Sequence, residues 1–212
     1  MMDTKIHISS EESIIWYQSK PIYEMAKRLF DLLLSILLLV VLLVPMGILA
    51  LAIRLDSSGP VLYRQTRLGL SGVPFTLLKF RTMTENAECG GPVWAAKDDP
   101  RRTKIGVFLR RFHLDELPQL WNIFIGDMSF VGPRPEREIF YQTFGMIVAD
   151  FDKRLLVKPG LTGLAQISGG YDLTPAEKWR YDMQYIGNRS VLLDIRCLVL
   201  TFPTVLTGRG AR

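Results

Sequence analysis

Between Leu32 and Ile53 the chain runs for 22 residues, LLLSILLLVVLLVPMGILALAI, without a charged side chain. At a rise of about 1.5 Å per residue, one straight helix of that length would reach about 33 Å, close to the roughly 30 Å hydrocarbon thickness of a bilayer. Pro45, with Gly47 two residues on, works against a straight helix. Proline has no N–H to donate and its ring crowds the carbonyl four residues back, so the block divides into arms of about 20 Å and 12 Å, each too short to cross. Both flanks are basic: Lys20, Lys27 and Arg28 come before the block, and Arg54, Arg64 and Arg67 after it. Positive segments stay on the cytoplasmic side, so a block that is basic at both ends declares no direction of crossing. Two arrangements stay open on these grounds: a kinked helix that spans, or a helix-break-helix that enters and leaves by one face. A buried core helix is disfavoured, because polar patterning is nearly absent.

The rest of the chain is of ordinary globular composition, and the 48% hydrophobic share over 212 residues owes its excess to that block. A net charge of +5, from 26 Lys+Arg against 21 Asp+Glu, suits an anionic partner: nucleic acid, lipid headgroups or a phosphorylated substrate. Cys89 and Cys197 stand far apart and outside any metal-ligand spacing, which argues against a disulfide framework or a zinc site and for a reduced, cytosol-facing body. Roughly 20 mixed residues precede MAKRLF and no small-residue cleavage site follows the apolar run, so the anchor is expected to stay attached. The expected organisation is a tail over 1–24, a membrane helix over 25–55 and a catalytic body over 56–212.

In that body, short apolar stretches between Gly, Pro and Ser turns predict two or three short strands or a hairpin, with strand candidates at Val61 to Arg64 and Phe75 to Arg81. Residues 84–100 read as loop. Lys104 to Phe112 suits a short helix, and Pro118 suits the first turn of the next. An amphipathic helical stretch is expected near 137–156, KPGLTGLAQISG reads as a Gly-rich loop, and Pro175 to Ile186 reads as helix. VLLDIRCLVLTFPTVL is apolar, too short to span, and suits an interfacial segment.

The segment RRFHLDELPQLWN, residues 110–122, concentrates the candidate chemistry. Side chains at i and i+1 diverge, so Asp115 and Glu116 are not a pair facing each other across a glycosidic bond. They suit separate tasks, one attacking or taking a proton, the other helping to hold a divalent cation. Lys79, Arg81, Arg110, Arg111, Arg134 and Arg137 are candidate phosphate ligands, arginine being matched to phosphate by its planar fork. About half of such cations are expected merely to be solvated or to face lipid headgroups. On the dipeptide alone, helix capping explains the acids equally well. A structural role is the expectation for His113, and a core or interface role for Trp94, Trp121 and Trp179.

KRLFDLLLS, GPVLYRQTRLG, FTLLKFRTM, DPRRTKIGVFLRRFHLDELPQLWNIFIGDMSFVGPRPE and KPGLTGLAQISG, in this order, resemble the bacterial sugar transferase family, the monotopic phosphoglycosyl transferases, from Lys27 to the 190s. The resemblance implies transfer of a sugar 1-phosphate from a UDP-sugar to undecaprenyl phosphate at the cytoplasmic face of the bacterial inner membrane, with release of UMP. It implies that Asp115 is the nucleophile of a covalent intermediate, that Glu116 helps to place Mg²⁺, and that Arg134 and Arg110 hold phosphate and nucleotide. Pro45 matches the family's helix-breaking proline, which favours the re-entrant reading. The fold so implied is α+β and mainly helical, with a re-entrant membrane helix broken at Pro45, a small β-hairpin and interfacial amphipathic helices. Membrane lipids are then partners, downstream glycosyltransferases and a homodimer are compatible with it, and nucleic acid is not expected. Phe112, His113 and Val107 depart from residues frequent in the family. The competing reading is an inactive membrane-anchored scaffold for glycan assembly enzymes, which the intact Asp115, Glu116 and Arg134 disfavour.

Overall fold

The structure, a computed structural model, describes residues 18–85, 87 and 99–207. Cys89, Trp94 and most of the expected tail and 84–100 loop lie outside the described residues. The chain begins with helix α1 (Pro21–Val41), whose first turn is set by Pro21, and continues into α2 (Leu43–Asp56). The two axes differ by 61°. Among the described residues no single helix is long and apolar enough to cross a membrane, whereas α1 and α2 taken together meet that test of length and hydropathy.

The break falls at Leu42 rather than at Pro45. Pro45 cannot donate to the carbonyl of Val41 and its ring crowds that position, so α1 stops there, and Pro45 itself fits the first turn of α2. Leu42 still donates to Leu38 O and Met46 to Leu42 O, both at 2.8 Å, which keeps the break to one residue. The pair exposes Leu33, Leu37, Val40, Val44, Ile48 and Leu51, while Asp31 and Ser35, one turn apart, face inward and are buried. Asp31 accepts from the Phe130 N–H at 3.1 Å.

Strands β1 (Leu62–Leu68) and β2 (Pro74–Phe80) form the expected antiparallel hairpin, in register from Leu62 opposite Phe80 to Leu68 opposite Pro74. Helix α3 (Lys104–Arg111) is capped by Thr103, whose Oγ1 accepts from Gly106 N at 3.0 Å. A 3₁₀ turn (Leu114–Glu116) then leads through Pro118 into α4 (Gln119–Ile125). The expected Gly-rich loop KPGLTGLAQISG holds structure instead: its β4 (Gly160–Thr162) pairs in parallel with β3 (Ser129–Val131), and α6 (Leu164–Ser168) follows β4. The expected helical stretch over 137–156 divides into α5 (Glu138–Gly145) and a 3₁₀ turn (Phe151–Leu156), with Asp150 between them in the left-handed region at φ 60°. Helix α7 (Pro175–Asn188) begins with a capping box, Thr174 with Glu177, and α8 (Val191–Thr207) closes the described chain.

The main core brings together the hairpin's Phe75 and Leu77, α4's Leu120 and Ile123, β3's Phe130, α7's Tyr185 and Ile186, and α8's Cys197. A smaller cluster of Ile53, Phe80 and Leu109 fastens α2 to the hairpin and α3. Asp194 on α8 accepts from Tyr23 at 2.8 Å, Lys27 at 2.8 Å and Tyr185 at 2.7 Å, so one buried carboxylate ties the last helix to the first. Helix α8 keeps one face on the core while Leu192, Val199 and Phe202 are exposed, the one-sided pattern expected of an interfacial segment. Trp179 is core, with its indole N–H on Asp150 O at 3.0 Å, and Trp121 is half exposed beside Phe124.

Candidate active site

Three walls converge on a cleft of about 1370 Å³: the hairpin, the turn between α3 and α4, and the loops around β3 and β4. Leu38 and Leu42 of the bent pair and Leu198 and Phe202 of α8 add apolar side chains to its lining. Its chemistry comes from the turn. His113 takes the left-handed conformation, φ 54°, and reverses the chain after α3. Asp115 and Glu116 are thereby turned inward, buried, just ahead of α4.

The two carboxylates are treated differently. Glu116 accepts from Lys79 Nζ at 2.8 Å and from both terminal nitrogens of Arg134, one of them at 3.3 Å. Asp115 has Lys79 at 3.8 Å and, among the described residues, no closer cation. Burial would raise the Glu116 carboxyl, but Arg134 and Lys79 outweigh it and hold the group well below the usual carboxylate range. Burial pushes Asp115 up, Lys79 opposes this, and the neighbouring Glu116 charge adds to it. Environments that separate two like groups assign them separate tasks. Glu116 is a fixed anion that organises the cations. Asp115 is the less neutralised carboxylate, facing the cleft.

Each cation is delivered by identifiable contacts. Lys79 follows Leu78 on β2, whose outer edge is clasped by Asn122 of α4: Leu78 N–H donates to Asn122 Oδ1 at 3.0 Å, and Asn122 Nδ2 donates to Thr76 O at 2.8 Å. This side chain does the work of a third strand and locks Lys79 to the helix behind the carboxylates. Arg110 donates through Nε to Thr82 Oγ1 at 2.8 Å, and Gly106 lets that segment approach, since a Cβ there would stand 2.1 Å from Thr82 O. Arg134 sits in a loop held by the β3–β4 pair. Gly132 N–H donates to Thr162 O at 2.9 Å, Gly160 N–H to Pro133 O at 2.9 Å, and Arg154 Nη2 to Arg134 O at 3.0 Å. Arg154 is in turn fixed by Asp182 of α7 at 2.7 Å, both side chains 1% exposed.

Lys79, Arg81, Arg110, Arg134, Asp115 and Glu116 therefore all line one cleft. Arg81 has a further attachment: its Nη2 donates to Ser57 O at 2.7 Å and Ser57 Oγ at 2.9 Å, strapping the hairpin to the C-terminal end of α2. Arg137 lines the cleft, while Arg111 is exposed and lies over the Phe112 ring at 5.6 Å. Pro45 shapes the bend, and the cleft takes Leu42 from it. Sequence reasoning missed Asn122, Arg154 and Asp182. The last two lie 28 residues apart without a shared motif, and only the fold brings them together.

Among the described residues no three His, Cys, Asp or Glu side chains gather as a metal cage. Asp115 and Glu116 place two carboxylates side by side on the cleft, oxygen donors of the type that divalent cations take together with phosphate and water.

A bent apolar helix pair joined to a cleft of paired carboxylates, a lysine and arginines defines a body built to receive anions. The chain belongs to the bacterial sugar transferase family, whose model matches residues 22–208. It is 38% identical over 195 residues to the UDP-N-acetylgalactosamine-undecaprenyl-phosphate N-acetylgalactosaminephosphotransferase of Aeromonas hydrophila, covering 91% of this chain and 46% of that protein. It is 39% identical over 180 residues to the UDP-glucose:undecaprenyl-phosphate glucose-1-phosphate transferase of Klebsiella pneumoniae, covering 82% and 39%. The exopolysaccharide production protein PSS of Rhizobium leguminosarum bv. phaseoli is 41% identical over 195 residues, covering 87% and 97%. The chain spans less than half the length of the first two relatives.

Proposed function

We propose that this protein is a phosphoglycosyl transferase that moves a sugar 1-phosphate from a UDP-sugar to undecaprenyl phosphate, opening the synthesis of an exopolysaccharide or a related glycan. The observation that carries the reading is the unequal treatment of Asp115 and Glu116. An Asp115 oxygen attacks the phosphorus that bears the sugar, the bond from that phosphorus to the bridging oxygen breaks, and UMP leaves with that oxygen. A phosphate oxygen of the lipid then attacks the same phosphorus, the bond to Asp115 breaks, and the free carboxylate returns. Such a ping-pong route lets one site serve a soluble and a membrane substrate in turn.

An anion attacking a diphosphate needs its electrophile neutralised. Arg134, Lys79 and Arg110 are the chain's means of doing so. Mg²⁺ held by Glu116, with Asp115 beside it, would supply further charge neutralisation of the diphosphate. The exposed apolar faces of α1, α2 and α8 support a re-entrant seating in the cytoplasmic leaflet of a bacterial inner membrane, with the body on the cytoplasmic face. That seating keeps Leu38, Leu42, Leu198 and Phe202, the cleft's lining from those helices, close to the lipid.

The test is nucleotide release by the protein in detergent with Mg²⁺, a UDP-sugar panel and undecaprenyl phosphate, beside Asp115→Asn. Lipid-dependent UMP, absent in the variant, together with a sugar-phosphate mass adduct on the wild-type chain when lipid is withheld, is the expected result. Release of UDP refutes the reading. Sugar-phosphate transfer without an adduct refutes the covalent step.

A further inference from the structure

Gln166 belongs to α6 and lines the cleft. Among the described residues neither its Oε1 nor its Nε2 meets a hydrogen-bond partner, although both atoms are shut off from solvent. Exchanging the two atoms leaves the same positions unmet, so the amide's orientation does not resolve this. An unmet buried polar group is costly, and folded proteins hold few of them without a functional reason. The amide is turned against Gly163, where a Cβ would stand 2.7 Å from Oε1 and 2.1 Å from the carbonyl of Gly132. Gln166 therefore sits beside the strand crossing that delivers Arg134, two residues beyond Gly132.

The same wall continues through Ser168, Gly169, Gly170 and Asp172 to Lys178 on α7, all of which line the cleft. Short side chains, two glycines and alternating donors and acceptors suit a ring that carries several hydroxyls. A nucleobase is served best by an aromatic platform; the cleft's aromatic lining stands on other elements, among them Tyr63 on β1, Phe130 on β3 and Phe140 on α5, and α6 carries none.

We propose that Gln166 reads the sugar of the donor. Turned about its side-chain torsions into the cleft it lines, the amide donates to one ring substituent and accepts from the neighbouring hydroxyl. This inference rests on the UDP-sugar reading above and adds to it the place where the sugar is recognised. It makes Gln166 a specificity residue, separate from the phosphate ligands Arg134 and Arg110.

The experiment uses the full chain in detergent with Mg²⁺ and undecaprenyl phosphate. UMP release is measured from UDP-glucose, UDP-galactose and UDP-N-acetylgalactosamine for wild type, Gln166→Ala and Gln166→Asn, with UMP inhibition measured alongside. The expected result is a fall in kcat/KM of roughly 10-fold to 100-fold for the preferred sugar in Gln166→Ala, as follows from losing hydrogen bonds to substrate hydroxyls. The disfavoured sugars should change little, so that discrimination narrows, and UMP inhibition should stay as in wild type. Gln166→Asn, which keeps the amide one methylene short, should fall between. Equal losses on all three sugars, or no loss, overturn the proposal. Weaker UMP inhibition by the same factor also overturns it, because the amide then serves the nucleotide. A wild-type chain that releases no UMP from any donor overturns the transferase reading and this proposal with it, whereas uniform losses in an otherwise active protein overturn the proposal alone.

Discussion

The Arg154–Asp182 pair offers the sharpest separation between stability and catalysis. Both side chains are 1% exposed and meet at 2.7 Å, and Arg154 also donates to the carbonyl of Arg134. Asp182→Asn keeps the shape and removes the charge, leaving a buried guanidinium unpaired. Breaking a buried pair from one side costs about 3–5 kcal/mol. For a chain of this size each kcal/mol moves Tm by about 2–4 °C, so the variant should melt about 6–20 °C lower. Removing both charges is a different perturbation. Arg154 lies over the Phe151 ring at 4.7 Å and the Tyr141 ring at 5.8 Å, apolar surroundings that accept a methionine. Arg154→Met with Asp182→Leu should therefore recover most of the lost stability. It should not recover the rate. The Arg134 carbonyl has lost its donor, the loop that brings Arg134 to Glu116 is looser, and UMP release should stay about 10-fold down, as expected for one lost positioning hydrogen bond. Thermal melts in detergent, paired with UMP release, give both readouts. The reasoning is refuted if Asp182→Asn melts within 2 °C of wild type, or if the double variant is as unstable as the two single changes summed.

Two further outcomes follow from the same cleft. On the proposed mechanism Asp115 is ionised when it attacks, and burial raises its carboxyl above the usual aspartate range, so kcat/KM should fall with decreasing pH along a limb that lies above that range. Lys79 opposes the rise, so Lys79→Met should move the limb to still higher pH, and a shift toward lower pH in a pH–rate profile contradicts the assignment. Asn122→Ala removes two hydrogen bonds to β2, together worth about 1–3 kcal/mol, and should lower kcat as Lys79 loosens. A melt and rate both equal to wild type would show that the clasp is idle.

How much of this was legible beforehand depended on whether a feature is local. Pro45 within an uncharged block announced a break, because the missing donor and the ring clash act on the residue four positions back. The same locality explains why the break stands at Leu42: a proline disrupts the turn before it and is at home in the first turn after. The hairpin, α3 and α7 declared themselves through turn residues and caps within a few positions. The acidic pair was visible as a pair, and capping was a fair competing account. Only the burial of both acids, with Lys79 and Arg134 on one and neither closer than 3.8 Å on the other, separates their tasks.

What stayed hidden was set by contacts across long separations. β3 and β4 are three residues each, too short for an alternation to register, and they pair because Gly132 and Gly160 let two backbones approach where a Cβ on Gly160 would stand 2.1 Å from Gly132 N. KPGLTGLAQISG thus looked like a glycine-rich loop for a sound reason, namely that the glycines are there for contact rather than for freedom. The same argument revises Arg81. Read as one more phosphate ligand among several cations, it has a hydrogen-bonding edge on Ser57, at the end of the helix pair that carries the apolar faces. An arginine that straps the hairpin to α2 places Lys79, two residues away on the same segment, in a fixed relation to the helix pair as well as to Asp115 and Glu116. The bent helix pair and the turn that carries Asp115 and Glu116 are therefore joined through one short strand, and loosening Arg81 from Ser57 would free Lys79 from the end of α2.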